Sequence, residues 1–586
     1  MVKLRSAIMR TLLPLTSLLL PSVIADSAGS YLWDPPINNE GNAYARVIQL
    51  QHSGNANGKL LATWEHWYTA GPHEKQTNNS ASNFIIRESN DLGATWTTLA
   101  TVHDPQTGPG HPSPYFYQPF LFEFPQQLGK YPEGTLLLVG NLFNGTNTEF
   151  FSWRSTDHGQ KWDPVGGWQY GGTTNASGIW EPFLFVDSQD RLIAVFSDER
   201  DGLNHSQMLV HVVSEDGGDT WSKNVTRDVV GAEQKWRPGM ATVAKMDNGE
   251  YLMSYEWCDH PFHSDPCPVH FKTSQDGVTW NASDPGKVIS SPDGIQPFAS
   301  PYTVWDSSAK QLIMSSRTVR YVSTSTGGLA PESQRVVFVN TDHGNGDWSW
   351  APSPWNASNS STNCSSNYSP NLLVLSDGTI RYTTATALTP EGLCSERTGA
   401  APIGILPYRS NFSTNGQAGW IDFGGSWSIS NGQYGFASVT DPAAIAVTGS
   451  SGWTDYNISA NVIITSSSGV IGLSTRVSAS SSAPNALTRY TAAIDSNSGN
   501  LTLYRVADTT SVLHSVAHPG GIHTNKQYHL SFSVNSTSLQ ASLTEDQEGS
   551  STMLTSSDDS LKQGMTGLFG SYGSGGFKNV QIEDLS

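Results

Sequence analysis

Two glutamates are placed where a carboxyl can be made to do acid–base work. Glu181 lies in Trp180-Glu181-Pro182-Phe183-Leu184, and Glu256 closes the apolar run from Tyr251 to Tyr255, followed by Trp257. A carboxyl set against an apolar strand and an aromatic wall is pushed toward its protonated form, whereas one beside a cation stays ionised. A pair split in this way can protonate a leaving oxygen with one member and attack, or activate water, with the other. Most carboxylates on a protein are solvated charges without a task. The flanking aromatics set these two apart, with Asp198 and Glu65 next in order. Cys258, His260, His263, Cys267 and His270 could hold zinc, but their spacing fits no common finger, and no metal or other cofactor is implied.

Residues this far apart need a scaffold, and an internal repeat supplies one. Ser89 to Trp96 recurs as Ser155 to Trp162, Ser214 to Trp221, Ser274 to Trp280 and Asn340 to Trp348, its aspartates 91, 157, 216, 276 and 342 spaced 66, 59, 60 and 66 residues apart. A period that long, with a turn-forming Asp and Gly in each unit, predicts four-stranded propeller blades. A second repeat opens a hairpin in each unit: Tyr117-Gln118-Pro119, Trp180-Glu181-Pro182, Trp236-Arg237-Pro238, Ile295-Gln296-Pro297 and Tyr368-Ser369-Pro370, with Tyr44-Ala45-Arg46 taking this place in the first unit without the proline. Six openings predict six blades. The start of each inner strand and the end of its partner meet at one mouth of the channel. Starts bring Arg46, Gln118, Glu181, Arg237, Gln296 and, in the sixth blade, Tyr368-Ser369 there; ends bring Glu65, His66, Asn141, Asp198, Glu256 and Arg317. Glu181, Glu256 and Tyr368 are the expected catalytic groups. Arg46, Glu65, His66, Gln118, Asp198, Arg237, Gln296 and Arg317 are the expected substrate contacts, with Trp64, Trp180, Tyr255 and Trp257 as candidate stacking walls.

Composition narrows the function. A formal net charge of −19 with only 14% charged residues excludes a basic nucleic-acid binder and disfavours anionic membrane surfaces. Met1 to Ala25, with Lys3, Arg5 and Arg10 before a leucine-rich run and a small residue at the end, reads as a secretory leader. Asn-x-Ser/Thr glycan acceptors between Asn78 and Asn535, Asn367 among them, agree with a secreted glycoprotein. Four cysteines then predict two disulfides; proximity favours Cys258 with Cys267 and Cys364 with Cys394, although three connectivities are possible. After Tyr408 the texture changes to Ser, Thr, Ala and Gly in short alternating stretches such as Tyr456 to Val462. The expected layout is a leader over 1–25, an all-β six-bladed propeller over 26–408, and a jelly-roll β-sandwich over 409–586 that braces the propeller.

The repeat resembles the Asp-box of sialidase-like propellers, in which it caps the turn between the outer two strands of a blade. Trp180-Glu181-Pro182-Phe183-Leu184 with Ser197-Asp198-Glu199-Arg200, and Arg237-Pro238-Gly239-Met240 with Tyr255-Glu256, resemble the corresponding blades of glycoside hydrolase family 93. That resemblance implies an exo-acting, retaining hydrolase of arabinan that releases arabinobiose, with catalytic glutamates at Glu181 and Glu256 and an active-site tyrosine at Tyr368. It covers about Tyr31 to Tyr408; the C-terminal region is similar instead to concanavalin-like sandwiches. The partner implied is a polysaccharide, bound by a monomer. Two rivals follow from the same residues. A sialidase would use Arg46, Arg317 and Tyr368, but its fourth blade opens with Glu and closes with Arg, the reverse of Arg237 and Glu256. A lectin-like propeller would bind sugar without cleaving it, a poor use for two carboxylates at the mouth.

Overall fold

The computed structural model describes residues 29–34, 40–68, 83–105, 115–143, 146–172, 177–258, 267–322, 328–358, 364, 366–388, 394–413, 416–438, 444–479, 487–545 and 549–585. The leader, His260 and His263 lie outside the described residues. Six four-stranded antiparallel sheets form the blades, and the first strand of each touches the first strand of the next. These inner strands are Glu40–Gln49, Tyr115–Glu123, Ile179–Val186, Arg237–Lys245, Tyr302–Asp306 and Asn371–Val374, the last returning to the first to close the ring. The expected six-bladed, all-β propeller is therefore present. The second strands Leu136–Phe143 and Leu192–Asp198 are buried almost throughout, as the apolar runs Leu136 to Val139 and Leu192 to Phe196 require of a sheet covered on both faces.

Local chemistry builds each blade. In the turn between the third and fourth strands, Asp91 Oδ1 accepts the Ser89 hydroxyl at 2.7 Å and the Thr95 amide at 2.9 Å, while the Trp96 indole donates to the Gly93 carbonyl. The two bonds to the aspartate recur around Asp157, Asp216 and Asp276, and the indole bond recurs at Trp162 and Trp280. The glycine of each motif takes a left-handed φ, +85° at Gly93 and +88° at Gly159, which a side chain would resist. In the fifth blade Asn340 replaces the serine, and its Oδ1 accepts the Asp342 and Gly344 amides. One feature of closure has no sequence signature. Ser30–Trp33, from the start of the chain, is the outer strand of the sixth blade, paired through Ser30 with Thr398.

The propeller strands end at Ala401, and the next strand begins at Tyr408. From there on, two antiparallel sheets of eight and seven strands pack face to face. The alternation along Tyr456–Ile464 buries every second residue, Tyr456, Ile458, Ala460, Val462 and Ile464, in the layer between the sheets. This sandwich packs on the fifth blade. Phe338, Trp348 and Trp350 share one apolar cluster with Ile421, Ile445, Val477 and Met565. Across the seam the Trp350 amide donates to Ser451 Oγ at 2.9 Å, and the Trp350 indole and the Ala479 amide both reach Asp293. Truncation after Tyr408 is therefore expected to leave a folded propeller whose melting temperature is lower by about 5 °C or more. An unchanged melting temperature would contradict a stabilising seam, and a wholly unfolded product would mean that the propeller cannot close alone.

Candidate active site

The mouth of the channel is built by one backbone device repeated around the ring. The inner strands of the first four blades slip register between Ala43 and Arg46, Tyr117 and Phe120, Trp180 and Phe183, and Gly239 and Thr242. At each slip one residue turns left-handed: Tyr44 (φ +55°), Gln118 (+53°), Glu181 (+57°) and Met240 (+55°); Ser300 (+48°) and Ser369 (+52°) do so before the fifth and sixth inner strands. Such a conformation costs a non-glycine residue about 1–3 kcal/mol and persists where its surroundings hold it. The preceding blade does the holding. The Gln118 amide donates to Glu65 Oε2 at 2.8 Å, the Glu181 amide to Gln118 Oε1 at 3.0 Å, the Met240 amide to Ser197 Oγ at 3.1 Å and the Ser300 amide to Glu256 Oε2 at 2.8 Å.

This frame corrects three expected positions. Tyr44, not Arg46, stands in the first blade where Glu181 stands in the third, Met240 stands there in the fourth rather than Arg237, and Ser300 precedes the fifth inner strand rather than Gln296. Proline follows the left-handed residue in Gln118-Pro119, Glu181-Pro182, Ser300-Pro301 and Ser369-Pro370, but Pro238 comes before Met240, and Pro297, the proline of the expected fifth opening, belongs to a separate ribbon.

Glu181, Glu256, Tyr368, Arg317 and Gln118 are brought together. Burial pushes the Glu181 carboxyl up to about 8; the charges of Glu256 and Glu199 add to the rise, while the Ser197 hydroxyl and Arg237 oppose it. Glu256 is also raised by burial, against the Ser300 amide and the cations Arg317 and then Arg237. The Arg317 guanidinium lies 4.9 Å from the centre of the Tyr368 ring. Burial, and then the charges of Glu256 and Glu181, hold the Tyr368 phenol well above its usual range. Tyr44, which sequence reasoning passed over for want of a proline, packs edge-on against Tyr368 at 5.3 Å between ring centres and is hydrogen-bonded to it. Met240 and Ala43 complete the apolar side of this group.

The other expected contacts are engaged elsewhere. Arg46 donates to the Ser369 carbonyl at 3.1 Å and its hydroxyl at 2.8 Å, tying the first blade to the sixth. Arg200 takes both oxygens of Asp198, at 2.8 and 2.7 Å. Arg237 pairs with Glu199 and donates to Gln207 and the Ser206 carbonyl, so its effect on Glu256 comes second to that of Arg317. His66 Nε2 lies 3.0 Å from the Asn83 carbonyl. Gln296 pairs with Arg320 in the two-stranded ribbon Ile295–Phe298/Thr318–Tyr321. Glu65 spends Oε2 on the Gln118 backbone, and burial lifts its carboxyl to about 8. Trp64, Tyr255 and Trp257 are core, which leaves the half-buried Trp180 as the candidate wall. Asn367, a sequence acceptor for glycan, is 1% exposed; its amide donates to the Ser316 and Arg317 carbonyls and it accepts the Tyr382 hydroxyl. Both favoured disulfides, Cys258–Cys267 and Cys364–Cys394, are formed, and the first takes both sulfurs of the zinc-like stretch.

The BNR repeat-like domain model matches residues 55–231. No curated protein matches the sequence. Among solved structures, the chain is similar to the GH93 alpha-L-arabinofuranosidase of Fusarium graminearum in complex with arabinobiose. The identity is 29%, covering 64% of this chain and 97% of that one, with a TM-score of 0.52. It is also similar to the alpha-L-arabinanase of Penicillium chrysogenum complexed with arabinobiose, at 30% identity over 64% of this chain and 98% of that one, with a TM-score of 0.52.

Proposed function

Since the chain belongs to glycoside hydrolase family 93, we propose that it is a secreted, exo-acting, retaining hydrolase of arabinan-type plant polysaccharide that releases arabinobiose and works as a monomer without a cofactor. The observation that carries the reading is a carboxyl at Glu181 held up to about 8 in the company of a second carboxyl, Glu256, and the phenol of Tyr368. Both similar structures named above hold arabinobiose.

In this reading Glu181, protonated at neutral pH, gives its proton to the glycosidic oxygen as the bond to the anomeric carbon breaks. Glu256, with the Ser300 amide and Arg317 favouring its charged form, attacks that carbon to form a glycosyl–enzyme ester. Water then cleaves the ester, returning a proton to Glu181. The leader Met1–Ala25 and the two disulfides support secretion. A sialidase reading is disfavoured because Arg46 is occupied by Ser369 and Arg237 by Glu199, which leaves Arg317 without the two partners needed to clamp a carboxylate.

Early digestion of linear arabinan, followed by proton NMR of the first sugar formed, tests the proposal. One short oligosaccharide with the substrate's own anomeric configuration is expected. A ladder of sizes would mean an open endo-acting groove, and an inverted anomer would make Glu256 a base acting through water.

A further inference from the structure

Gln118 was expected to touch substrate, yet its side chain is committed to the backbone of the next blade. The Glu181 amide, which can only donate, meets Gln118 Oε1 at 3.0 Å. Asn141 Nδ2 reaches the same oxygen at 3.0 Å, and its own orientation is fixed by the bond it donates to the Ile179 carbonyl at 2.8 Å. These bonds leave no freedom in the Gln118 amide: its oxygen faces the Glu181 main chain, so its nitrogen faces the Glu181 carboxyl, 3.5 Å from Oε1. The backbone of Gln118, left-handed at φ +53°, is in turn held by Glu65. A chain of bonds thus runs from the first blade through the second to the Glu181 side chain in the third.

An amide nitrogen carries two donors and no acceptor, so the carboxyl oxygen that meets it is favoured as the carbonyl oxygen, the stronger acceptor of the acid. We propose that Gln118 is a positioning residue that sets the tautomer of Glu181, keeping the acid proton on Oε2. Among the described residues no group meets Glu181 Oε2, which is buried, in hydrogen-bond geometry, although the Ser197 hydroxyl lies near enough to act on the carboxyl. A buried polar atom left open is a cost a protein retains where a ligand atom completes it; here that atom is the glycosidic oxygen. The 3.5 Å contact is of the length found before substrate closes a site. Proton and electrons balance as in the reaction above: Oε2–H gives its proton to the leaving oxygen, and Oε1 remains the acceptor of the Gln118 amide throughout.

The inference rests on Glu181 being the acid, and the test separates the two claims. Gln118→Glu keeps an oxygen for the Glu181 amide and for Asn141, but puts an acceptor where the donor was, so the proton is drawn to Oε1. Two substrates are compared: linear arabinan, whose leaving oxygen needs a proton, and a 2,4-dinitrophenyl arabinobioside, whose leaving group does not. In Gln118→Glu, kcat/KM on arabinan is expected to fall about 10²-fold or more, KM to stay within about threefold, and kcat/KM on the aryl glycoside to stay within about threefold. Asn141→Ala, which removes one of the two donors that hold Gln118 Oε1, is expected to show the same split at smaller size. Retention of both activities in Gln118→Glu overturns the inference. Equal loss on both substrates in both variants also overturns it, since Gln118 would then hold the frame and not the proton. Glu181→Gln run in parallel is expected to show the split most strongly; equal loss there would overturn the assignment of the acid itself.

Discussion

Replacement of Glu181 or of Glu256 by glutamine is expected to lower kcat on arabinan about 10³-fold or more while the melting temperature at pH 7.5 stays level or rises. The activity term follows from the chemistry, because an amide can neither give up the proton nor form the ester. The stability term follows from burial. Both carboxyls are raised above their ordinary value, and a neutral amide of the same shape avoids the cost of burying a charge. The bond from the Ser300 amide to position 256 survives in Glu256→Gln through the remaining carbonyl oxygen. Initial rates and melting curves on both variants check this. A variant that loses activity only in step with its folded fraction would mean that the glutamate is a structural clamp, as Glu65 is at the equivalent place in the first blade.

The pH dependence carries the second large effect. With the Glu181 carboxyl pushed up to about 8, kcat/KM is expected to fall tenfold per pH unit above that point, as the free enzyme loses the proton it must donate. Stability runs with the opposite slope to that of an ordinary salt-bridged carboxylate. Glu65, Glu181 and Glu396 each stand at about 8 in the fold against 4.5 for the unperturbed group. The folded chain therefore keeps protons that the unfolded chain releases, and the stability they contribute at pH 4.5 is lost progressively as pH climbs toward 8. The midpoint of chemical denaturation should accordingly be higher at pH 5 than at pH 7.5, and Glu396→Gln should reduce the difference. Glu396 is fully buried, and neither of its carboxyl oxygens makes a hydrogen bond among the described residues. An activity profile flat through pH 9 would remove Glu181 from the role of acid.

What the sequence reveals depends on how far its physical causes reach along the chain. The capped turns were legible because Ser89, Asp91, Gly93 and Trp96 bond to one another within a few residues, and three copies keep that spacing while a fourth is one residue shorter and a fifth one longer. Glu181 and Gln118 were legible because a proline follows each left-handed residue. Tyr44 and Met240 do the same backbone work without that mark, and in the fifth blade Gln296-Pro297 offered it ahead of Ser300-Pro301, so the expected frame slid by two to four residues in these blades and drew Arg46, Arg237 and Gln296 to the mouth. The fate of those arginines was not readable at all. Arg237 finds Glu199 38 residues away in the neighbouring blade, and Arg46 finds Ser369 across the closing seam, 323 residues away. Pairing of Ser30–Trp33 with the sixth blade is of the same kind, since nothing in four residues specifies a partner near Thr398.

Hydrolysis of an arabinose polymer by the Glu181–Glu256 pair is decided by one release assay. Wild-type protein and Glu181→Gln are each incubated with debranched arabinan, with sialyl-lactose and with buffer alone, and the liberated sugars are separated. A short arabino-oligosaccharide is expected from the arabinan with wild-type protein, and at most about a thousandth of it with the variant. Sialyl-lactose is predicted to remain intact. Release of sialic acid, or binding of arabinan with no release by wild-type protein, would contradict this activity.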